Sequence, residues 1–335
     1  MGGELFKSVG AKRLSLDEYK EVSNKIIDSG VLDIFEKFHL VRSYESKESH
    51  GDIDFIVTKP KINDWKKYIA EQLNCEHSKF LSEESHYLVG NAQIDLRIVP
   101  FENFDSSVFF SNYDCLGNAV GRMSRYLGLR FGYKGLVFPA YTENQQNRLE
   151  DIIVSSEPKD ILEFLGLNLN DYSKGFNNKE DIFEYVTCSK YYSIECFNPI
   201  NWDHATRTRN KKRKTFCEFI QYIEKYHNYS KFNFLPRERR AEYIELINIA
   251  FPKVDLVKKV NIVRENYKVN REILSRFNGS DIMEISGLKG VELGSLIKEY
   301  KNNCGDWTDF LKNITREQAI KDFKLWLRKR KNRKN

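Results

Sequence analysis

The chain lacks a stretch of apolar residues long enough to cross a bilayer: no hydrophobic run approaches the roughly 20 residues a spanning helix needs, and no membrane partner is expected. The segment Met1–Lys7 has no apolar core of the kind a secretory signal carries. Six cysteines (Cys75, Cys115, Cys188, Cys196, Cys217, Cys304) are scattered without a C-x-x-C pair, and Cys196 and His204 have no partners at ligand spacing. That pattern argues against a disulfide framework or a structural zinc site and for reduced thiols in a cytoplasmic setting. Tandem repeats and low-complexity linkers are also missing. The apolar content of 41%, with 13% aromatics, is that of a folded globular protein and excludes a disordered one. At 335 residues there is room for two or three domains with separate cores.

Strong net charge is missing as well, at only +6, but the basic excess is clustered. Arg207, Arg209, Lys211, Lys212, Arg213 and Lys214 form one group, and the tail Arg328–Asn335 forms another. Such clusters are the electrostatic footprint of a polyanion partner. A charge run alone is as often a solvated face, so these gain weight only beside a phosphoryl-transfer site. Trp202 and Phe216 near the first cluster suit a phosphate backbone with occasional base stacking.

Three aspartates supply that site. Asp52 and Asp54 lie in His50-Gly-Asp-Ile-Asp-Phe-Ile-Val57, and Asp95 in Gln93-Ile-Asp-Leu-Arg-Ile-Val99. Each sits in a run of β-branched and large apolar residues that reads as a buried strand. Side chains alternate along a strand, so Asp52 and Asp54 project from one face while Ile53 points into the core. Three acids on one sheet face repel unless a cation lies between them, and hard oxygen donors suit Mg²⁺. Burying them uncompensated costs several kcal/mol each. The pattern is what a two-metal phosphoryl-transfer centre with two Mg²⁺ ions requires.

Around these strands the sequence predicts a mixed first part. Ser15 and Glu18 form a capping box for a helix running to about Asp28, a second helix covers Val31–Lys37, and Phe38–Tyr44 reads as a strand. Asn63–Asn74 has helical periodicity, residues 87–99 read as a hairpin turning at Gly90-Asn91, and a helix follows over Asp114–Leu127. Beyond residue 145 the pattern becomes helical, over Lys159–Leu165, Lys179–Ser189, Thr215–Tyr226, Pro236–Ala250 and several helices in Glu265–Lys329. The expected class is α+β, with three domains at 1–145, 146–255 and 256–335.

Residues 35–138 resemble the palm of the nucleotidyltransferase superfamily typified by DNA polymerase β, poly(A) polymerases and CCA-adding enzymes. The resemblance lies in Gly51-Asp-Ile-Asp54 before an apolar strand and in Ile94-Asp-Leu-Arg-Ile-Val-Pro100, which is most similar to the polymerase β branch. Phe109-Phe-Ser-Asn-Tyr-Asp114, Asn118 and Arg122 are similar to that branch's sugar- and base-binding wall. Near the other end, Phe277–Tyr300, with Gly287, Gly290 and Gly294, resembles the RNA-gripping helices of CCA-adding and bacterial poly(A)-polymerase-like enzymes; a helix-hairpin-helix reading is open beside it. The chain departs from the superfamily where Arg42-Ser43 replaces the usual Gly-Ser, and in the absence of an evident N-terminal lyase region and of the nucleotide-choosing motif of CCA-adding enzymes.

The resemblance implies a mixed-sheet palm followed by a mainly α-helical nucleic-acid-binding region. It implies Asp52, Asp54 and Asp95 as catalytic residues and magnesium ligands, with Asp95 helping to deprotonate a 3′-hydroxyl. Ser43, Lys47, Ser49 and Gly51, with Ser46 and His50 beside them, are expected to grip a nucleoside triphosphate. Phe110 and Asn118, with Phe109 and Tyr113, would face its sugar or base. Arg122 and Arg125, three apart on one helix face, would reach the triphosphate or template. Arg207–Lys214 and the Lys289-Gly290 turn would contact nucleic acid. Extension of an RNA 3′ end, tRNA above all, is the leading expectation. A polymerase-β-like DNA polymerase and an inactive nucleic-acid-binding protein are the alternatives.

Overall fold

Ser15 opens the first helix as its spacing predicts: its hydroxyl accepts the Glu18 N–H at 3.3 Å while the Glu18 carboxylate accepts the Ser15 N–H at 2.7 Å. Two donors that a helix start leaves free are thereby satisfied. In the computed structural model, which describes residues 3–334, strand β1 (Leu14–Ser15) leads into this helix, α1 (Leu16–Asp28). Gly30, at φ +71°, ends it by adopting the left-handed conformation that glycine tolerates. The helix expected over Val31–Lys37 is only a 3₁₀ turn, Val31–Ile34. Phe35 turns extended there and buries its ring against Trp65, centroids 5.3 Å apart.

Next come β2 (Phe38–Leu40), β3 (Ser49–His50), β4 (Ile53–Val57), α2 (Trp65–Gln72), β5 (His77–Phe80), β6 (Glu84–Val89) and β7 (Ala92–Ile98). Strand β2 is shorter than the expected Phe38–Tyr44. The main sheet has the order β2-β4-β7-β6-β5 and is mixed, with β4 and β7 parallel and the other pairs antiparallel. The hairpin turn falls at Gly90-Asn91, where Val89 pairs with Ala92. Ile53, Phe55 and Val57 of β4 and Ile94 and Leu96 of β7 pack on one face with Ile26, Trp65 and Ile69. The period of two then puts Asp54 and Asp95 on the other face.

Helices α3 (Phe104–Ser111) and α4 (Leu116–Tyr126) follow. The second was expected from Asp114, but Tyr113 and Asp114 lie at φ +62° and +52°, left-handed values that no α-helix can include. A three-stranded sheet, β10-β9-β8, is built from β8 (Arg130–Gly132), β9 (Gly135–Tyr141) and β10 (Arg148–Ser155). Strand β10 lies beyond the point where the sequence pattern turns all-helical, although Ile152 and Val154 bury in alternation. Then come α5 (Pro158–Leu165), α6 (Leu169–Lys174), α7 (Lys179–Thr187), α8 (His204–Asn210), α9 (Lys214–Tyr226) and α10 (Ile244–Ala250). The Pro236–Ala250 helix is divided: Arg237–Tyr243 is 3₁₀, with the Tyr243 hydroxyl accepting the Leu235 amide at 2.7 Å.

These helices belong to one compact unit with the α/β part: the chain up to Pro139 together with Asp151–Val257. The other unit comprises Ala140–Glu150 and the chain from Lys258 onward. It contains most of α11 (Leu256–Ser275), then α12 (Gly279–Ser286), α13 (Gly290–Cys304), α14 (Trp307–Lys312) and α15 (Arg316–Lys334). Phe277, Tyr300 and Phe323 centre its core with Leu296, Leu311 and Ala319. The fold is therefore α+β, with a mixed five-stranded sheet and a helical C-terminal region. Among the described residues no helix is long and apolar enough to cross a membrane.

Candidate metal centre and cleft

Parallel pairing of β4 with β7 sets Asp54 directly opposite Asp95, and Asp52 lies two residues earlier, just before β4 begins. One carboxylate oxygen from each of the three lies within 4.8 Å of the others. All three residues are half-buried. The Asp52 Oδ2 accepts the Gly3 N–H at 3.2 Å. Asp95 Oδ1 is 2.9 Å from His86 Nδ1, and both Asp95 oxygens accept from Gln93 Nε2, at 3.0 and 3.1 Å. Among the described residues no lysine or arginine forms an ion pair with the trio; Lys47, whose charge favours the ionised forms of Asp52 and Asp54, is paired with Asp114 at 2.8 Å. Burial holds Asp54 well above the ordinary carboxylate range, with the charges of Asp52 and Asp95 adding to the effect. Burial and then Asp95 raise Asp52 in the same direction. Three crowded carboxylates with no lysine or arginine paired to them are a donor set that fits a hard divalent cation such as Mg²⁺.

The trio borders a cleft of about 990 Å³ lying wholly within the first unit. One wall is the loop between β2 and β3. Its backbone is pinned from two sides: the Glu45 and Ser46 amides donate to the carbonyls of Phe176 and Asn177, and the Tyr113 amide donates to the Arg42 carbonyl at 2.7 Å. Ser46, Lys47, Ser49 and Gly51 line the cleft. Ser43 sits behind them, accepting from Lys47 Nζ at 3.0 Å. Arg13 holds Ser49 through its hydroxyl and its carbonyl, both at 2.8 Å. His50 is buried, stacked on Tyr19 with centroids 3.9 Å apart, and bonded to the Lys47 carbonyl, which assigns it to the loop's framework.

The expected aromatic wall is only partly present. Phe110 and Asn118 line the cleft. Phe109 and Tyr113 are fully buried, packed against Tyr172, Phe131 and Phe176, and cannot stack on a base. Arg122 is a second correction: it is buried one turn beyond Asn118 on α4 and is absent from the cleft lining, donating to the Cys196 carbonyl at 3.3 Å and lying 4.8 Å over the Trp202 ring. Burial lowers its pKa to about 10. The helix turns its apolar stripe inward, and Arg122 falls within that stripe. Arg125 is exposed and is not among the cleft-lining residues.

The basic run 207–214 also separates. Arg213 and Lys214 line the cleft, whereas Arg209, Lys211 and Lys212 are exposed elsewhere on the surface. Arg207 donates to the Trp202 carbonyl. Trp202 and Phe216 are core residues, 5% and 1% exposed, so stacking on a nucleic-acid base is closed to them. Lys289 and Gly290 belong to the second unit, exposed at the start of α13 with Gly290 at φ +59°. A Cβ on Gly287, Gly290 or Gly294 would meet nothing within 4 Å, so close helix packing is not why those glycines are there.

Several cleft residues carry no mark in the sequence. Lys179, at the first turn of α7, pairs with Glu218 at 2.9 Å, and both line the cleft. Tyr133 lies under the Arg97 guanidinium at 4.1 Å, and Arg97 pairs with Glu84. Chain segments far apart in sequence bring Lys179, Glu218 and Tyr133 to the cleft, so no local pattern announces them. His86 and Gln93 were legible in principle: in a hairpin turning at Gly90-Asn91, His86 falls opposite Asp95, and Gln93 lies two residues before it. No protein-family model matches the chain, and no curated protein is found to be similar to it.

Proposed function

We propose that this chain is a Mg²⁺-dependent nucleotidyltransferase that adds nucleotides to a nucleic-acid 3′ end, with RNA, and tRNA in particular, as the favoured substrate. On this reading the mixed sheet is the superfamily's palm. The supporting observation is the register of Asp54 with Asp95, which gathers three carboxylates within 4.8 Å beside a cleft whose wall carries Lys47, Arg213 and Lys214.

Asp52, Asp54 and Asp95 would hold two magnesium ions, whose chemistry is to neutralise phosphate charge and ease ionisation of an attacking hydroxyl. Asp95, fixed by His86 and Gln93, presents its carboxylate toward the 3′-hydroxyl as proton acceptor. Lys47, Ser49 and the Gly51 backbone bind the triphosphate on one side, with Arg213 and Lys214 adding positive charge on the cleft wall. Phe110 and Tyr133 offer aromatic surface for a base or sugar, and Asn118 a polar contact.

The test supplies Mg²⁺ and each NTP and dNTP singly to labelled tRNA, single-stranded DNA and a gapped duplex. Extension of tRNA by CTP and ATP alone supports the reading. Template-matched dNTP addition to the gap replaces it with a DNA polymerase. Binding without extension of any substrate, unchanged in Asp52→Asn, replaces it with a nucleic-acid-binding protein.

A further inference from the structure

The segment before β1 does not end at the sheet edge but runs up to the aspartates. Its anchor is a small core of Phe6, Ala11 and Leu88, supported by the Lys12 amide donating to the Asn91 carbonyl at 2.9 Å and by pairing of β1 with β3. From that anchor two amides, two residues apart, reach the site. Gly3 N–H donates to Asp52 Oδ2 at 3.2 Å, and Leu5 N–H donates to Gln93 Oε1 at 3.2 Å. Gln93 is 3% exposed and spreads its Nε2 over both oxygens of Asp95. An amide side chain can face either way; the Leu5 bond decides that the nitrogen end faces the carboxylate. The approach at Gly3 is close. A Cβ there would fall 1.9 Å from the Gly51 carbonyl oxygen, and Gly3 lies at φ +77°, so only glycine lets the strap seat against the Gly51-Asp52 turn.

We infer that residues 3–12 are a positioning strap of the metal centre, orienting Asp52 through the Gly3 amide and Asp95 through a Leu5–Gln93 relay. Three like charges on one sheet face swing apart unless held, and groups that hydrogen-bond a metal's ligands set the geometry offered to the ion. A carboxylate oxygen that accepts one hydrogen bond keeps a second lone pair, so the Gly3 bond orients Asp52 without excluding a cation. The inference rests on the proposed metal centre but not on nucleotide transfer, and its test is read on the metal.

Mn²⁺ is titrated into the full chain and the free ion followed by electron paramagnetic resonance. Asp54→Asn, which should bind no ion at the centre, assigns the signal. Gly3→Ala and Gln93→Leu are each expected to weaken Mn²⁺ binding about 10-fold or more. Val9→Ala, an exposed strap position that touches neither carboxylate, should bind as the unmodified chain does. Unmodified affinity in both Gly3→Ala and Gln93→Leu overturns the strap. Hydrogen exchange on the unmodified chain tests it without any variant: residues 3–12 should exchange more slowly when Mg²⁺ is added, and equal exchange with and without the ion overturns it. Losses of Mn²⁺ affinity in a chain that extends no nucleic acid support the strap and remove the transferase reading. An unmodified chain that binds no Mn²⁺ removes both.

Discussion

Asp54 sits half-buried beside the charges of Asp52 and Asp95 with no cationic partner of its own among the described residues. In the metal-free chain this arrangement opposes folding. Because the folded-state pKa of Asp54 lies above the unfolded value of about 3.9, the cost is full above the folded pKa and is relieved as pH falls toward the unfolded one. Metal-free Asp54→Asn is therefore expected to be more stable than the unmodified chain near neutral pH, by on the order of 1 kcal/mol. The difference should shrink on acidification, and saturating Mg²⁺ should reverse it; denaturant unfolding across pH, with and without the ion, measures both. The same substitution, like Asp52→Asn or Asp95→Asn, should remove nucleotide addition, and persistent activity in all three would dismiss this centre. The carboxylates were legible in the sequence because the period of two along a strand needs no tertiary information. Their spacing was not, because it depends on whether β4 and β7 pair in parallel and in which register.

At the scale of elements, the sequence suggests similar tasks for the loop between β2 and β3 and for helix α4, and the structure separates them. Lys47 faces the cleft, 22% exposed at its side chain, and is steered by Asp114. Asp114 reaches it from the left-handed turn that Tyr113 and Asp114 share. Lys47→Ala should raise the KM for a nucleoside triphosphate about 10-fold, as removal of one charge-assisted hydrogen bond does, with a smaller effect on kcat. Arg122 behaves in the opposite way. Arg122→Leu should lower stability by about 1–3 kcal/mol by removing the hydrogen bond to Cys196 and the stacking on Trp202, while leaving KM unchanged. Thermal unfolding beside steady-state kinetics distinguishes the two residues. From sequence, positions 122 and 125 share a helix face, but which face turns inward is decided by the elements packed around it. The same holds for Phe109 and Phe110, adjacent residues of which one is core and the other cleft.

Across the whole molecule, charge divides with the two compact units. Residues 140–150 and 258–335 carry 20 Lys and Arg against 12 Asp and Glu, a net of +8, and the remaining 34 and 36 give −2. A modest total thus conceals a strongly basic unit, the kind of surface that releases counterions on binding a polyanion. On α15, Lys321, Lys324, Arg328 and Lys331 fall on one exposed stripe opposite Ala319 and Phe323. Replacing all four with glutamine should weaken RNA binding. The slope of log affinity against log salt should also become shallower, by about 0.7 for each single-strand phosphate that is no longer neutralised. Fluorescence anisotropy over a range of KCl concentrations measures it; an unchanged slope would mean that RNA is held by another surface.

The linear chain by itself determined which strands carry acids, which face those acids take, where the first helix is capped and where basic residues cluster. These properties follow from side-chain periodicity, local hydrogen bonding and composition, all of which act over a few residues. Only the tertiary structure decided that Asp54 meets Asp95, that Lys179 and Lys214 from the later helices share a cleft with the loop around Lys47, that Arg122 and Trp202 stabilise the interior, and that Gly3 reaches Asp52. Those placements depend on strand register and on which apolar surfaces bury against one another, and both are settled by interactions between residues far apart in the chain.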